Sequence, residues 1–275
     1  MATGKTWFKV PETIRFDLTG ELPASVASKD VILELLGRLS VDGATYQACE
    51  FGGGGLQDLS VDGRLSICNM CAEMGAKVAL MGVDARVEEY LERVGRPVRS
   101  EGAIQPDADA IYRERISLNL SGLTPMVALP HSPDNVHPVA DVEPVAIDQV
   151  FLGGCSNGRL EDMRQAASIL KGRSLHPRVR LLVIPASYEV LRAMAAEGIL
   201  DVFVDVGAVI GPSTCGPCFG GHFGLLADGE GCVSTATRNF VGRMGSKGAR
   251  VYLASPLTAA ASAVTGRLTD PREFR

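Results

Sequence analysis

Hydrophobic positions at helical spacing define the clearest element in the first half of the chain. Residues 28–39 place apolar side chains on one helical face, with Ser28 as a candidate N-cap and Asp30 in the first turn. This pattern predicts a helix over 28–39. Residues 41–50 predict a turn followed by a strand, which puts Glu50 at a strand end beside a glycine-rich loop.

The remaining patterns of this half predict five further elements. They are helices over 60–75 and 84–93, a strand over 76–80, a surface loop over 95–110 and a half-buried strand over 115–120. Prolines at four positions between residues 125 and 138 favour an extended connection between domains. We therefore predict two domains, residues 1–130 and residues 131–275.

Strands alternate with helices in the second half. The predicted order is strand 148–154, helix 160–170, strand 179–184, helix 187–196, strand 202–209, a glycine-rich loop, strand 250–254 and helix 256–266. Strands connected by helices of this length form βαβ units. The sequence thus predicts an α/β fold with a mainly parallel sheet.

Charge and hydropathy narrow the classes of function. The net charge is −5, and no run of Lys or Arg could neutralise a phosphate backbone, so nucleic acid is excluded as a primary partner. No apolar stretch reaches the ~18 residues of a membrane span, and no apolar signal core follows the first charges. We expect a cytoplasmic protein without a membrane partner. Seven cysteines, an odd number in a chain of this size, favour reduced thiols.

Three of these cysteines follow the carboxyl ends of predicted strands, where parallel sheets bind their ligands. Cys155 closes the strand 148–154, while Cys215 and Cys218 lie in a loop rich in glycine and proline. A Cys-x2-Cys pair in such a loop can direct two thiolates at one ion, and Cys155 could reach the same point. Three thiolates would leave one iron of a cubane open to substrate, which favours Lewis-acid chemistry over electron transfer.

Other interpretations of the same residues stay open at this stage. The pair Cys215 and Cys218 could be two buried thiols. A zinc site shared with Cys68 and Cys71 is disfavoured, because the pairs are too far apart in sequence and those two cysteines lie in an apolar helix. Cys49, Cys68, Cys71 and Cys232 are interpreted as structural. Arg238 and Arg243 have the chemistry of carboxylate recognition, and the alternative is a pair of surface arginines.

Several motifs resemble the aconitase superfamily. Gly-Gly-Cys-Ser-Asn-Gly-Arg at 153–159, Thr-Cys-Gly-Pro-Cys-Phe-Gly at 214–220 and the Arg-Asn-Phe-x-Gly-Arg run at 238–243 are similar to its cluster and substrate motifs. The segments 4–12, 41–46 and 130–135 resemble the large subunits of 3-isopropylmalate dehydratases and homoaconitases. The resemblance covers essentially the whole chain and implies aconitase-type three-layer α/β domains.

The resemblance also implies a site and a chemistry. A [4Fe-4S] cluster would be held by Cys155, Cys215 and Cys218. Glu50 would lie at the substrate hydroxyl, and Arg238 and Arg243 would hold carboxylates of a 2-hydroxy di- or tricarboxylic acid. The implied reaction is the isomerisation of 2-isopropylmalate to 3-isopropylmalate by dehydration and rehydration, in leucine biosynthesis. Its base would be a serine on a separate small subunit with a swivelling domain.

Two alternatives accompany this interpretation. The first is a homoaconitase or another hydratase of a 2-hydroxy acid. The second, from a different class, is a non-catalytic metal-binding remnant or a regulatory module.

Two departures from the family pattern matter. Thr237 stands where the family usually has Asn. Family members also carry an N-terminal portion before the segment that begins at Gly4, and nothing in this sequence matches it. We therefore expect a fragment, a mis-started protein or one half of a split large subunit. Its activity would depend on the missing portion, which a separate N-terminal half could supply, and on the small subunit.

Overall fold

The computed structural model describes residues 2–274, apart from the side chain of Ser100. Its first half is built on a parallel sheet of order β3-β2-β1-β4 with three helices. The strands are β1 (Thr13–Thr19), β2 (Ala48–Gly52), β3 (Val78–Met81) and β4 (Glu114–Asn119), and the helices are α1 (Ser28–Leu39), α2 (Val61–Met70) and α3 (Ala85–Arg93).

Side chains of β1 alternate between a buried and a more open face of this sheet. Ile14, Phe16 and Leu18 are buried, and the rings of Phe16 and Phe51 stack with centroids 4.8 Å apart. The opposite face presents Arg15, which is partly exposed. Alternation of this kind follows from the two-residue period of a strand.

The second half is built on a seven-stranded sheet of order β6-β5-β11-β10-β7-β8-β9. Strand β5 pairs antiparallel with both β6 and β11, and the other neighbouring strands pair in parallel. Its strands are β5 (Met126–Ala128), β6 (Val136–Pro138), β7 (Gln149–Gly153), β8 (Arg180–Ile184), β9 (Val209–Ile210), β10 (Gly231–Ser234) and β11 (Arg250–Ala254). Its helices are α4 (Gly154–Asn157), α5 (Leu160–Leu170), α6 (Tyr188–Ala196), α7 (Ile199–Asp205) and α8 (Pro256–Thr265).

This architecture confirms the predicted α/β class with mainly parallel sheets, and it corrects some elements. The strand predicted over 202–209 is wrong, because α7 occupies its first half and only Val209–Ile210 is a strand. Gly198 adopts a positive φ of 68° between α6 and α7, and Phe203 is fully buried. Packing of Phe203 therefore overrides the strand preference of a run rich in β-branched residues.

The proline-rich segment is also not the extended connection that was predicted. Its strands β5 and β6 form an antiparallel pair at the edge of the second sheet, with β5 paired to β11. The two sheets therefore divide between residues 119 and 126. The boundary at residue 130 stays a prediction. Strands β1 and β10 were not predicted at all.

Helix α1 has the predicted bounds and connects the two sheets. The helix begins after Ala27 rather than after a Ser28 cap, because the Asp30 carboxylate accepts a hydrogen bond from the Ala27 amide at 2.8 Å. The same carboxylate accepts the amide of Met126, the first residue of β5, at 2.8 Å. One buried hydrophobic cluster extends from β1 through α1 to β11, so the halves share a core.

No helix within residues 2–274 is long and apolar enough to cross a bilayer.

The shared core predicts that a truncation in α1 destabilises the whole chain. Leu36 is 0 % exposed, so Leu36→Ala is expected to lower the free energy of unfolding by about 2–5 kcal/mol. Leu65 in α2 is 38 % exposed, and Leu65→Ala should cost about 0.5 kcal/mol or less. Urea unfolding followed by far-UV circular dichroism measures both. Equal losses for the two variants would contradict a core shared through α1.

Candidate active site

The loop that carries Cys155 lies against the carboxyl end of β8. Cys155 is in the single turn of α4, directly after β7. A Cβ on Gly153 would lie 2.0 Å from the carbonyl oxygen of Ile184, and a Cβ on Gly158 would lie 2.7 Å from the same oxygen. Only glycine allows this approach of two backbones, so the glycines around Cys155 fix its loop on Ile184.

The Cys-x2-Cys loop packs against the same residue. Cys215 immediately precedes a 3-10 turn at Gly216–Phe219, and the Cys218 amide donates to the Cys215 carbonyl at 3.1 Å. Gly216 has a φ of +52°, and a Cβ there would lie 2.2 Å from Cδ1 of Ile184. Ile184 therefore holds both cysteine loops at one end of the sheet.

The three thiols are free and share one electrostatic environment. Cys155 and Cys215 are exposed and Cys218 is half-buried. Burial raises the pKa of Cys218, the Arg243 guanidinium opposes that shift by charge and hydrogen bonding, and the charges of Cys155 and Cys215 raise the pKa further. Within residues 2–274 no three His, Cys, Asp or Glu side chains stand close enough to hold a metal ion as they are.

Arg243 lies beside these thiols with an unused donor. Its Nε is buried and has no hydrogen-bond partner. A Cβ on Gly220 would lie 2.9 Å from the Arg243 carbonyl oxygen, so the Cys-x2-Cys loop packs on the backbone of this arginine. A buried donor without an acceptor is costly, which suits a site that receives an anionic group. Three accessible thiols with such a donor fit an iron–sulfur cluster and a carboxylate ligand.

The second arginine is held by an acidic residue that sequence reasoning missed. Nε of Arg238 donates to both carboxylate oxygens of Glu73, at 2.8 and 2.9 Å. Glu73 is almost fully buried in the 3-10 turn Cys71–Met74, whereas the Arg238 side chain is 41 % exposed. The hydrogen bond and charge of Glu73 raise the pKa of Arg238. The one available signal was an acidic residue within the apolar run around Met70 and Met74.

Glu50 belongs to a different part of the molecule from the cysteines. It lies within β2 rather than at its end, and its carboxylate accepts hydrogen bonds from Arg15 and, at 2.9 Å, from the Tyr112 hydroxyl. It lines a cavity of about 640 Å³ together with apolar side chains such as Leu80 and Met81. The described residues show no hydrogen bond between Glu50 and either cysteine loop.

Helix α2 nevertheless connects the two regions. It begins after the loop that follows β2, and the Ser66 hydroxyl donates to the Ser156 carbonyl at 2.7 Å. The side-chain amide of Asn157 donates to the Ser66 hydroxyl at 3.3 Å. The helix behind the Glu50 strand is therefore docked on the turn that carries Cys155.

None of the other four cysteines is exposed. Cys49, Cys71 and Cys232 are buried and Cys68 is half-buried. Burial raises the pKa of Cys68 to about 11 and that of Cys232 to about 12, which suppresses their thiolates near neutral pH.

These differences predict an order of alkylation. In metal-free, reduced protein at pH 7.5, a short exposure to iodoacetamide should modify Cys155 and Cys215 first and Cys218 more slowly, because the thiolate must be exposed to react. Cys71 and Cys232 should remain unmodified until the chain unfolds. Peptide mass spectrometry gives the order, and labelling in urea provides the control in which burial no longer protects any thiol. Native modification of Cys232 at the rate of Cys155 would contradict this arrangement.

The family profile and the curated relatives of this chain point to the same protein family. The sequence profile of the Aconitase family (aconitate hydratase) matches residues 1–146 and 140–266. Among curated proteins, the "3-isopropylmalate dehydratase large subunit 1" of Methanopyrus kandleri is 52 % identical over 99 % of this chain and 65 % of the relative. The large subunit of the same name from Nitratidesulfovibrio vulgaris is 49 % identical over 98 % of this chain and 64 % of the relative.

A third relative, "3-isopropylmalate dehydratase large subunit 1" of Archaeoglobus fulgidus, is 46 % identical over 100 % of this chain and 65 % of the relative. The chain thus spans about 65 % of the length of the curated relatives it matches. Among solved structures, Thermococcus kodakaraensis aconitase X aligns with a TM-score of 0.44 and 15 % identity over 83 % of this chain and 49 % of that chain. Because the family profile covers nearly every residue, the chain belongs to the aconitase family.

Proposed function

We propose that this chain is the cluster-bearing part of the large subunit of a hydro-lyase that isomerises 2-isopropylmalate to 3-isopropylmalate in leucine biosynthesis. The observation that carries the proposal is the set of three free thiols on two loops packed against Ile184, beside the unpartnered donor of Arg243. The names of relatives that are 46–52 % identical support this substrate. Their designation as large subunits supports a small-subunit partner.

Cys155, Cys215 and Cys218 would hold a [4Fe-4S] cluster, as the family resemblance implies. When bound, the cluster supplies a Lewis-acid iron that makes the substrate hydroxyl a better leaving group. Soft thiolates suit iron–sulfur clusters, and three of them leave one coordination position for substrate oxygen. Cys155 and Cys215 are exposed, so a substrate would reach a cluster that they hold.

The arginines would bind and orient the carboxylates. Glu73 engages the Nε edge of Arg238, which leaves the Nη groups to donate to a substrate carboxylate. Arg243 offers its buried Nε beside Cys218. Two guanidinium groups with fixed orientations can select a dicarboxylic acid and align its hydroxyl with the thiols.

Glu50 would exchange a proton with the departing or entering water. Its hydrogen bonds to Arg15 and Tyr112 fix the orientation of the carboxylate. A proton-transfer group needs such positioning more than it needs strength as a base. The base that removes the carbon-bound proton would come from the small subunit, and the convergence of Glu50 with the cysteine loops would be completed in the assembled enzyme. A cytoplasmic location remains a prediction.

The proposal predicts iron and turnover that depend on the same three cysteines. The chain is co-expressed with a dehydratase small subunit and with the part of the relatives' length that it does not match, then reconstituted anaerobically. We expect about four irons and four sulfides per chain and interconversion of the two isopropylmalates. Cys155→Ser, Cys215→Ser and Cys218→Ser should each lose both. Cys68→Ala, at a cysteine as half-buried as Cys218, is the control that should keep both.

The same experiment separates the alternatives. Turnover of homocitrate but not of isopropylmalate would assign the homoaconitase reaction. Zinc in place of iron, or a full cluster without turnover of any 2-hydroxy acid in any combination of subunits, would overturn the hydro-lyase.

A further inference from the structure

Lys29 is a fully buried lysine that the proposed chemistry does not use. It lies in the first turn of α1 with 0 % of its side chain exposed. Its Nζ donates to the carbonyl oxygens of Ala236 at 2.7 Å and Thr235 at 3.2 Å, and it contacts the Met70 sulfur at 3.0 Å. These three contacts use all three ammonium donors, and none is with a carboxylate.

The two carbonyls belong to the segment that leads from β10 to Arg238. The Thr235 amide donates to the Phe151 carbonyl at 3.0 Å, and the Gly153 amide donates to the Thr235 hydroxyl at 2.9 Å. The segment is therefore joined on one side to the strand that ends at the Cys155 turn. On the other side its carbonyls have Lys29 as partner.

Met70 connects the same ammonium to the other end of the Glu73–Arg238 pair. Met70 is the last residue of α2 and precedes Glu73 by three positions. Ala236 precedes Arg238 by two positions. One buried cation thus contacts the two segments that carry the acid and the base of this ion pair. Of the groups that it contacts, the carbonyls of Thr235 and Ala236 are the ones for which a buried donor matters most.

Two of the negative charges around Lys29, those of Cys218 and Glu73, come from the candidate site. Burial lowers the pKa of Lys29 to about 8, and the negative charges of Asp162, Cys218, Glu73 and Asp30 counteract this. The amine therefore remains mostly protonated at neutral pH. A buried ammonium that has no carboxylate in direct contact is costly to keep, which argues against a role in stability alone.

We propose that Lys29 is a positioning residue, whose ammonium fixes the backbone of residues 235–236 so that Arg238 presents its guanidinium to a substrate carboxylate. This inference rests on the proposed function, in which Arg238 binds that carboxylate. Without the ammonium, the Ala236 carbonyl loses its donor, the Thr235 carbonyl keeps the longer hydrogen bond from the Ser156 hydroxyl at 3.5 Å, and the segment that carries Arg238 relaxes. The Thr235 hydroxyl also contacts the Cys155 turn, but the glycine contacts on Ile184 hold both cysteine loops, so the cysteines keep their positions.

The test compares Lys29→Met with a matched control, Arg64→Met. Arg64 is also a buried cation that donates to two backbone carbonyls outside the segment 235–243, those of Leu56 at 2.8 Å and Leu59 at 3.1 Å. It differs from Lys29 in that it also pairs with the Asp84 carboxylate at 2.6 Å, so its loss is the more severe change to the fold. Hydrogen–deuterium exchange of residues 235–243 is measured on the chain itself. The Michaelis constant and kcat are measured on the assembled enzyme, together with visible absorption of the cluster.

We expect Lys29→Met to accelerate exchange in 235–243 about tenfold and to raise the Michaelis constant about tenfold or more, with the cluster spectrum retained. Arg64→Met should destabilise the fold without either effect. Exchange in 235–243 that is no faster in Lys29→Met than in Arg64→Met would overturn the proposal, as would an unchanged Michaelis constant.

Two further arms keep the result decisive. If Lys29→Met does not fold, Lys29→Gln serves instead, because its amide nitrogen keeps two N–H donors. It should show smaller changes in the same direction, and wild-type exchange in that variant would overturn the proposal. If the wild-type assembly shows no turnover, the proposed function fails, while the exchange comparison still decides whether Lys29 positions the segment.

Discussion

Contact with Ile184 is the constraint on which the candidate site depends. Gly153 and Gly158 bring the Cys155 turn against its carbonyl oxygen, and Gly216 brings the Cys-x2-Cys loop against its side chain. Cysteines that are 60 residues apart in sequence thus come to one end of the sheet without any bond between them. The glycines are needed for the space they leave, because a side chain would separate loops that must meet.

The second constraint is the way the two sheets are joined. Helix α1 packs into a core common to both, and its first turn places Lys29 and Asp30 in the interior between them. Asp30 binds the start of β5, and Lys29 binds the segment before Arg238. Polar contacts from the first turn of α1 therefore connect the half that carries Glu50 to the segment before Arg238 in the other half. Burial raises the pKa of Asp30 to about 7, although its backbone hydrogen bonds counteract this.

Sequence patterns predicted the parts of this structure whose local and tertiary preferences agree. Helix α1 has the predicted bounds because its apolar face is also the face that packs, whereas residues 199–205 are helical against their strand pattern because Phe203 packs inward. The cysteines were recognisable from spacing and resemblance. Glu73, Arg15, Tyr112 and Lys29 were not, since their roles depend on partners between 35 and 207 residues away, which no local pattern encodes.

The most direct test of this account is the iron content of Gly158→Ala after anaerobic reconstitution, compared with Gly102→Ala. Neither glycine has a positive φ, but a Cβ at 158 would meet backbone oxygens at 2.5 and 2.7 Å, whereas a Cβ at 102 meets nothing within 4 Å. We predict that Gly158→Ala folds and loses most of its iron and sulfide, while Gly102→Ala retains both. A full cluster in Gly158→Ala would contradict the claim that packing against Ile184 brings the three thiols together.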